Sequence, residues 1–184
     1  MTSSPTSTEK SSLVWTTAAT LIALIGAAGS LWLSISMKLK ACPLCLYERT
    51  FMMSAAALLI VGLTTHLRRS SLLPLLALPA AFAGLIVVGF HVNLERTGKL
   101  ECPLGILGLG TAPQQSLAVF VVLVAVLLIA QFRSDARRQL LPLSAAILLG
   151  LACAWGAIKS APPPPVPTEA YTVPLDGCRL PFRP

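Results

Sequence analysis

Five long apolar runs, at roughly 13–36, 45–63, 72–92, 116–132 and 140–158, fill most of the 184-residue chain. A helix needs about 20 such residues to cross a bilayer. Inside lipid, only helices and closed barrels satisfy their own backbone hydrogen bonds. These runs are continuous rather than alternating, so they predict an all-α integral membrane protein with five spans. The fourth run is the shortest but is almost unbroken Val, Leu, Ala and Ile. Pro74 and Pro79 fall in the third, where neighbouring helices tolerate a kink. The first continues through Trp32 and Leu33, longer than a signal-peptide core, and reads as a retained span. Charged residues make up 11% of the chain, against roughly 25% in soluble domains. A water-soluble globule is therefore excluded, and so is a disordered chain.

The formal net charge is +7. The basic residues Arg68, Arg69, Arg133, Arg137 and Arg138 gather in short turns between apolar runs, with no interleaved basic-aromatic stripe. They read as determinants of membrane orientation and not as a nucleic-acid surface.

Five spans place the termini on opposite sides. One side holds the N-terminus and the turns at 64–71 and 131–139. The other holds the loops at 37–44 and 93–115 and the tail from about 159. Cys42 and Cys45, Cys102 and Cys178 all fall on this second side. The Arg-rich turns are short and dense in positive charge, which places them in the cytoplasm with the N-terminus. The cysteines then face an extracytoplasmic compartment, where disulfides persist. The chain divides into a transmembrane domain, 1–159, and a Pro-rich tail, 160–184. Pro162 to Pro165 and Pro167 favour extended polyproline, at roughly 3.1 Å per residue, long enough to return Cys178 over the other outer loops. The composition fits equally a plain tail with a stray cysteine.

Ala41-Cys42-Pro43-Leu44-Cys45-Leu46-Tyr47-Glu48-Arg49 carries the chemistry. A C-x-x-C pair opens and closes a small disulfide. With a helix starting near Leu44, Cys45 lies in the first turn, where unpaired N–H groups favour a thiolate. Arg49, four residues on, shares that face. It can stabilise a thiolate or a reduced anionic acceptor, or simply snorkel to the interface. Structural zinc usually takes four closely grouped ligands. The other cysteines are dispersed and His66 and His91 fall on opposite sides, so no metal site is expected. Cys153, within the fifth run, reads as a buried small hydrophobe. The Gly-rich stretch 103–113 is too short to span and is expected on the membrane surface beside Cys102.

Cys-Pro-Leu-Cys-Leu-Tyr-Glu-Arg at the start of the second span resembles the DsbB family of bacterial disulfide bond formation proteins, over roughly residues 13–132. The resemblance implies a four-helix transmembrane bundle, here with a fifth helix added. It also implies a redox enzyme of the inner membrane. Such an enzyme passes electrons from a DsbA-like periplasmic thiol oxidase to a quinone, ubiquinone or menaquinone, in the lipid bilayer. By that resemblance Cys42 and Cys45 are the quinone-coupled pair, Cys45 meets the quinone and Arg49 stands beside it. Cys102 forms the mixed disulfide with the partner. His91 lies where the family often carries a residue near the quinone, or is simply an interfacial histidine.

One departure matters. The family's second pair lies within one loop, whereas that loop here holds Cys102 alone. Cys178 is the expected substitute, and the shared side of the membrane supports the pairing independently. Two other readings remain open from sequence. One is a vitamin K epoxide reductase-like enzyme, although its C-x-x-C usually lies in a late span. The other is a non-enzymatic membrane protein with static disulfides. No ionisable residue lies deep in a run, which argues against an ion pathway.

Overall fold

The computed structural model of the chain describes residues 7–65, 72–133, 140–167, 171–172 and 174–182. It contains five long helices: α1 (Ser7–Ile35), α2 (Pro43–Thr64), α3 (Leu72–Arg96), α4 (Ala112–Phe132) and α5 (Leu140–Ser160). All five are long and apolar enough to span a bilayer. The described residues form no β-strand beyond isolated bridges.

The helices overrun the apolar runs at their ends for local reasons. Pro43 begins α2 in its first turn, where its missing N–H costs nothing. Pro113 does the same for α4. Hydropathy marks where a helix is greasy, whereas caps mark where it begins.

Helices α1 to α4 close into a ring, each packing on the next and α4 returning to α1. Alanines make close approach possible on the α1 side, where Ala19 and Ala23 are fully buried in the same core as Ala55, Leu59 and Phe120. Phe120 of α4 lies in the space that a Cβ at Gly84 of α3 would occupy. The expected four-helix bundle is therefore present, and a fifth helix lies outside the ring against α3.

That docking uses small residues. Ala146, Gly150, Ala154 and Ala157 form the buried stripe of α5. A Cβ at Gly150 would come within 3.0 Å of the Pro79 carbonyl oxygen, so the backbones approach closely there. Small residues one turn apart are a usual device for helix packing in lipid, where no hydrophobic effect drives association. Cys153 differs from expectation. It is exposed on the outward face of α5, because the stripe at 150 and 154 takes the inner face.

The loops and tail after α1, α3 and α5 meet at one end of the bundle. The opposite end holds Arg133, whose guanidinium lies 5.8 Å over the Trp15 ring. Arg68, Arg69, Arg137 and Arg138, on which the orientation expectation rests, lie outside the described residues, as does His66.

Candidate functional site

The site is assembled at the loop-and-tail end of the bundle. Helix α2 begins at Pro43, so Cys42 is its N-cap, and the Cys45 backbone N–H donates to Cys42 Sγ at 3.2 Å. The two sulfurs stand 2.6 Å apart as free, hydrogen-bonded thiols. As expected, Cys45 lies in the first turn of α2; the thiolate, however, falls on the N-cap Cys42. The N–H of Cys45 itself caps onto Cys42 Sγ, and the Cys45 thiol faces the same sulfur. The Cys42 thiol is accordingly held far below its ordinary range, to about 5. The Cys45 thiol hydrogen bond is the chief cause, reinforced by His91 and opposed by burial.

His91 is fully buried near the end of α3. Its Nδ1 lies 2.7 Å from Glu48 Oε1, one turn after Cys45. A carboxylate there accepts the Nδ1 proton and aims Nε2 at the sulfurs, 3.4 Å from Cys102 Sγ and 3.8 Å from Cys42 Sγ. Sequence reasoning quoted Glu48 within the motif without giving it a role. The available signal was a carboxylate three residues after Cys45, at the start of an otherwise largely apolar span. Such a group is buried only with a partner.

Cys102 and Cys178 are joined by a disulfide across 76 residues of chain. The tail is built to lie there. Lys40 N–H donates to the Asp176 carbonyl at 2.6 Å, and Glu101 and Arg179 exchange backbone hydrogen bonds of 2.8 and 3.0 Å. The segment around Cys178 is thus pinned to both outer loops. Gly177 is required by closeness, since a Cβ would stand 2.8 Å from the Lys40 carbonyl oxygen. Lys40 Nζ and Asp176 form an exposed ion pair at 2.8 Å. It holds the Asp176 carboxyl below its usual range through the Lys40 hydrogen bond. Tyr171 donates its hydroxyl to the Leu180 carbonyl at 2.8 Å and stacks under Arg179.

A cavity of about 230 Å³ opens between α1, α2 and α4, with Ile25, Gly26, Cys45, Arg49, Val119 and Cys178 in its walls. Its space depends on small residues. A Cβ at Gly26 would come within 2.9 Å of Val119 and 3.1 Å of Met52. Arg49 is fixed rather than snorkelling. It donates to Ser30 Oγ at 2.9 Å, to the Ser30 carbonyl at 2.9 Å and to Ser34 Oγ at 2.6 Å. The 103–113 stretch does more than lie on a surface. Gln115 ties it down through Ile106 and Leu109, and Pro103 and Ile106 roof the cavity. Leu104 and Leu109 point outward, at 62% and 73% exposure.

Five of the six expected site residues, all but Arg49, therefore form one cluster of sulfurs and imidazole, with Arg49 across the adjoining cavity. Cys42, Cys45, Cys178 and His91 present ligand atoms all within 4.8 Å of one another. The dispersal in sequence that argued against a metal site does not survive folding. His91 is not among the cavity-lining residues; it stands behind the thiols.

A family model described as "Disulfide bond formation protein DsbB" matches residues 10–115. No curated protein and no solved structure matches the chain.

Proposed function

The chain belongs to the DsbB family of disulfide bond formation proteins, and on that premise we propose that it is a quinone-linked thiol oxidase of the bacterial cytoplasmic membrane. Its N-terminus and Arg-rich turns would be cytoplasmic and its cysteines periplasmic. The carrying observation is that Cys45 and Arg49 share one apolar cavity, directly beside a second cysteine pair.

The residues fit a quinone ring. The cavity is smaller than the roughly 300–1,000 Å³ that encloses a drug-sized ligand. It suits a single ring whose hydrocarbon chain stays in lipid. Arg49, held by Ser30 and Ser34, keeps a positive charge on the wall. When bound, the quinone supplies a sink for two electrons and two protons.

In this reading, a DsbA-like dithiol first exchanges with the Cys102–Cys178 disulfide. The partner leaves oxidised, and two thiols remain on this chain. One of these, as thiolate, attacks the Cys42–Cys45 disulfide, and the second displaces it, so the outer disulfide reforms and the inner pair is reduced. Cys178 lies within 4.8 Å of both inner sulfurs. His91 is placed to move a proton between Cys102 and Cys42, with Glu48 orienting its ring. Cys45, the inner cysteine on the cavity wall, gives up the electrons as the inner disulfide closes. The resemblance assigned the partner's attack to Cys102. At 8% exposure, Cys102 is reached only when the tail shifts.

The test is reduction of a short-chain ubiquinone or menaquinone analogue by purified protein in detergent, driven by a reduced thioredoxin-like periplasmic protein. Turnover that disappears in Cys45→Ala and Cys178→Ala supports the relay. A wild-type protein that reduces no quinone with any such donor overturns it and favours static disulfides.

A further inference from the structure

Resting on that reading of cycling cysteines, we propose that the reduced protein holds a redox-gated site for a thiophilic divalent cation of the zinc type, with Cys42, Cys45, Cys178 and His91 as its ligands.

Three independent observations converge on it. The four ligand atoms lie within 4.8 Å of one another. Zinc takes four sulfur and nitrogen ligands in a tetrahedral arrangement, at about 2.3 Å to sulfur and 2.0–2.1 Å to nitrogen, so the Cys42 and Cys45 sulfurs, 2.6 Å apart, would spread to admit the ion. The His91 ring is already oriented as metal-bound histidines are, with Nδ1 on the Glu48 carboxylate at 2.7 Å and Nε2 toward the sulfurs. A carboxylate behind the ring fixes its rotation and raises its basicity toward a metal. Finally, Cys178 does not depend on its disulfide for its place. Backbone hydrogen bonds from Lys40 and Glu101 pin the residues on either side of it, and Gly177 packs against the Lys40 carbonyl.

The gate is chemical. A sulfur in the Cys102–Cys178 disulfide is no longer a thiolate, so the oxidised chain lacks one ligand. Once a dithiol partner has reduced that bond, and the inner pair is also reduced, the three ligand thiols and the imidazole are free. Binding of one cation then releases a proton from each ligating thiol that still carries one, and that of Nε2 where it carries one. No electrons move. The bound cation withholds all three sulfurs from exchange, so the reduced chain stops turning over until the metal is removed.

Cobalt(II) is the probe, added to fully reduced full-length protein in detergent, with a fully oxidised sample alongside. The expected result is one cobalt per reduced chain. Its spectrum should show tetrahedral visible bands and a near-ultraviolet thiolate-to-cobalt band, both displaced by zinc(II) and absent from oxidised protein. Glu48→Gln should weaken binding by about 10- to 100-fold, the usual cost of losing a partner to a ligand. Cys178→Ser and His91→Gln should each weaken it at least as much and alter the spectrum. Cys153→Ser, on the outward face of α5, should bind like wild type. Circular dichroism of each variant separates lost ligands from lost fold. The proposal is overturned if reduced wild type shows no stoichiometric tetrahedral cobalt. It is equally overturned if well-folded Cys178→Ser and His91→Gln variants bind unchanged, which would leave only the C-x-x-C pair. Because the readout is a spectrum, it stands apart from quinone reduction. Turnover without cobalt binding removes only this site, and cobalt binding without turnover removes only the oxidase.

Discussion

The two cysteine pairs touch the same histidine but are assembled by opposite means. Cys42 and Cys45 are set by one turn of helix, and their spacing and capping contact are local consequences of Pro43 starting α2. Cys102 and Cys178 come from a loop and a tail 76 residues apart and meet only because both outer loops bind the tail. A locally built pair depends on a helix terminus, whereas a distantly built one depends on docking. Docking is therefore where mutation should separate them.

The largest effect should come from removing one member of each pair. Cys45→Ala should abolish quinone reduction whatever the donor. Cys178→Ala should abolish it with a protein donor, yet leave measurable turnover with a small dithiol that reaches the inner pair directly. Steady-state rates with both donors check this, and equal losses with both would erase the distinction between the pairs.

Next in size is Arg49→Met. It removes a charge fixed on the cavity wall while leaving the sulfurs in place. Losing one charged hydrogen-bonding group of this kind costs about 1.5–3 kcal/mol, roughly 10- to 100-fold. The loss should fall on the quinone KM or on kcat, with thiol exchange between the pairs unchanged in stopped-flow.

The pH dependence of alkylation is a smaller and more local effect. With its pKa lowered to about 5, Cys42 should remain a thiolate through neutral pH and lose reactivity only as pH falls through about 5. An ordinary thiol instead gains about tenfold per pH unit up to its pKa near 8.5. Low-pKa thiolates are intrinsically weaker nucleophiles, so the advantage at pH 6 should be only about tenfold. A flat profile from pH 6 to 8 in reduced protein is the expected measurement. A steep rise across that range would show that the Cys45 thiol and His91 do not hold the charge on Cys42.

Smallest of all, Gly177→Ala should leave the inner pair untouched and loosen the tail. The added methyl meets the Lys40 carbonyl, and overpacking of this sort costs about 1–3 kcal/mol. Cys178 in reduced protein should then be alkylated several-fold faster, as read by mass spectrometry, with Cys45 unchanged.

The same division explains what the sequence disclosed. The five spans, the gathering of four cysteines at one end and the helical register of Cys45 with Arg49 follow from length, parity and period, all of which are local or additive. Glu48 was visible as a letter but not as a partner, since its role exists only against His91 on another helix. The thiolate was placed on Cys45 from its first-turn position, which the fold keeps; the charge falls on Cys42 through a hydrogen bond from the Cys45 thiol, a side-chain contact that helical period alone does not reveal. The docking of α5 was written in Ala146, Gly150 and Ala154, four residues apart. That spacing marks a face without saying which helix it meets.

Where α5 ends has a kinetic consequence. The Ser160 hydroxyl and the Tyr47 hydroxyl lie 2.8 Å apart, fastening the base of the tail to α2 just past Cys45. The tail is thus an internal reactant on a short leash rather than a free arm. A short tether holds its end at an effective concentration on the order of millimolar. External thiols at micromolar levels would compete poorly with Cys178 for its neighbours. Closure of the second disulfide then becomes a first-order event, nearly indifferent to how much protein the membrane contains.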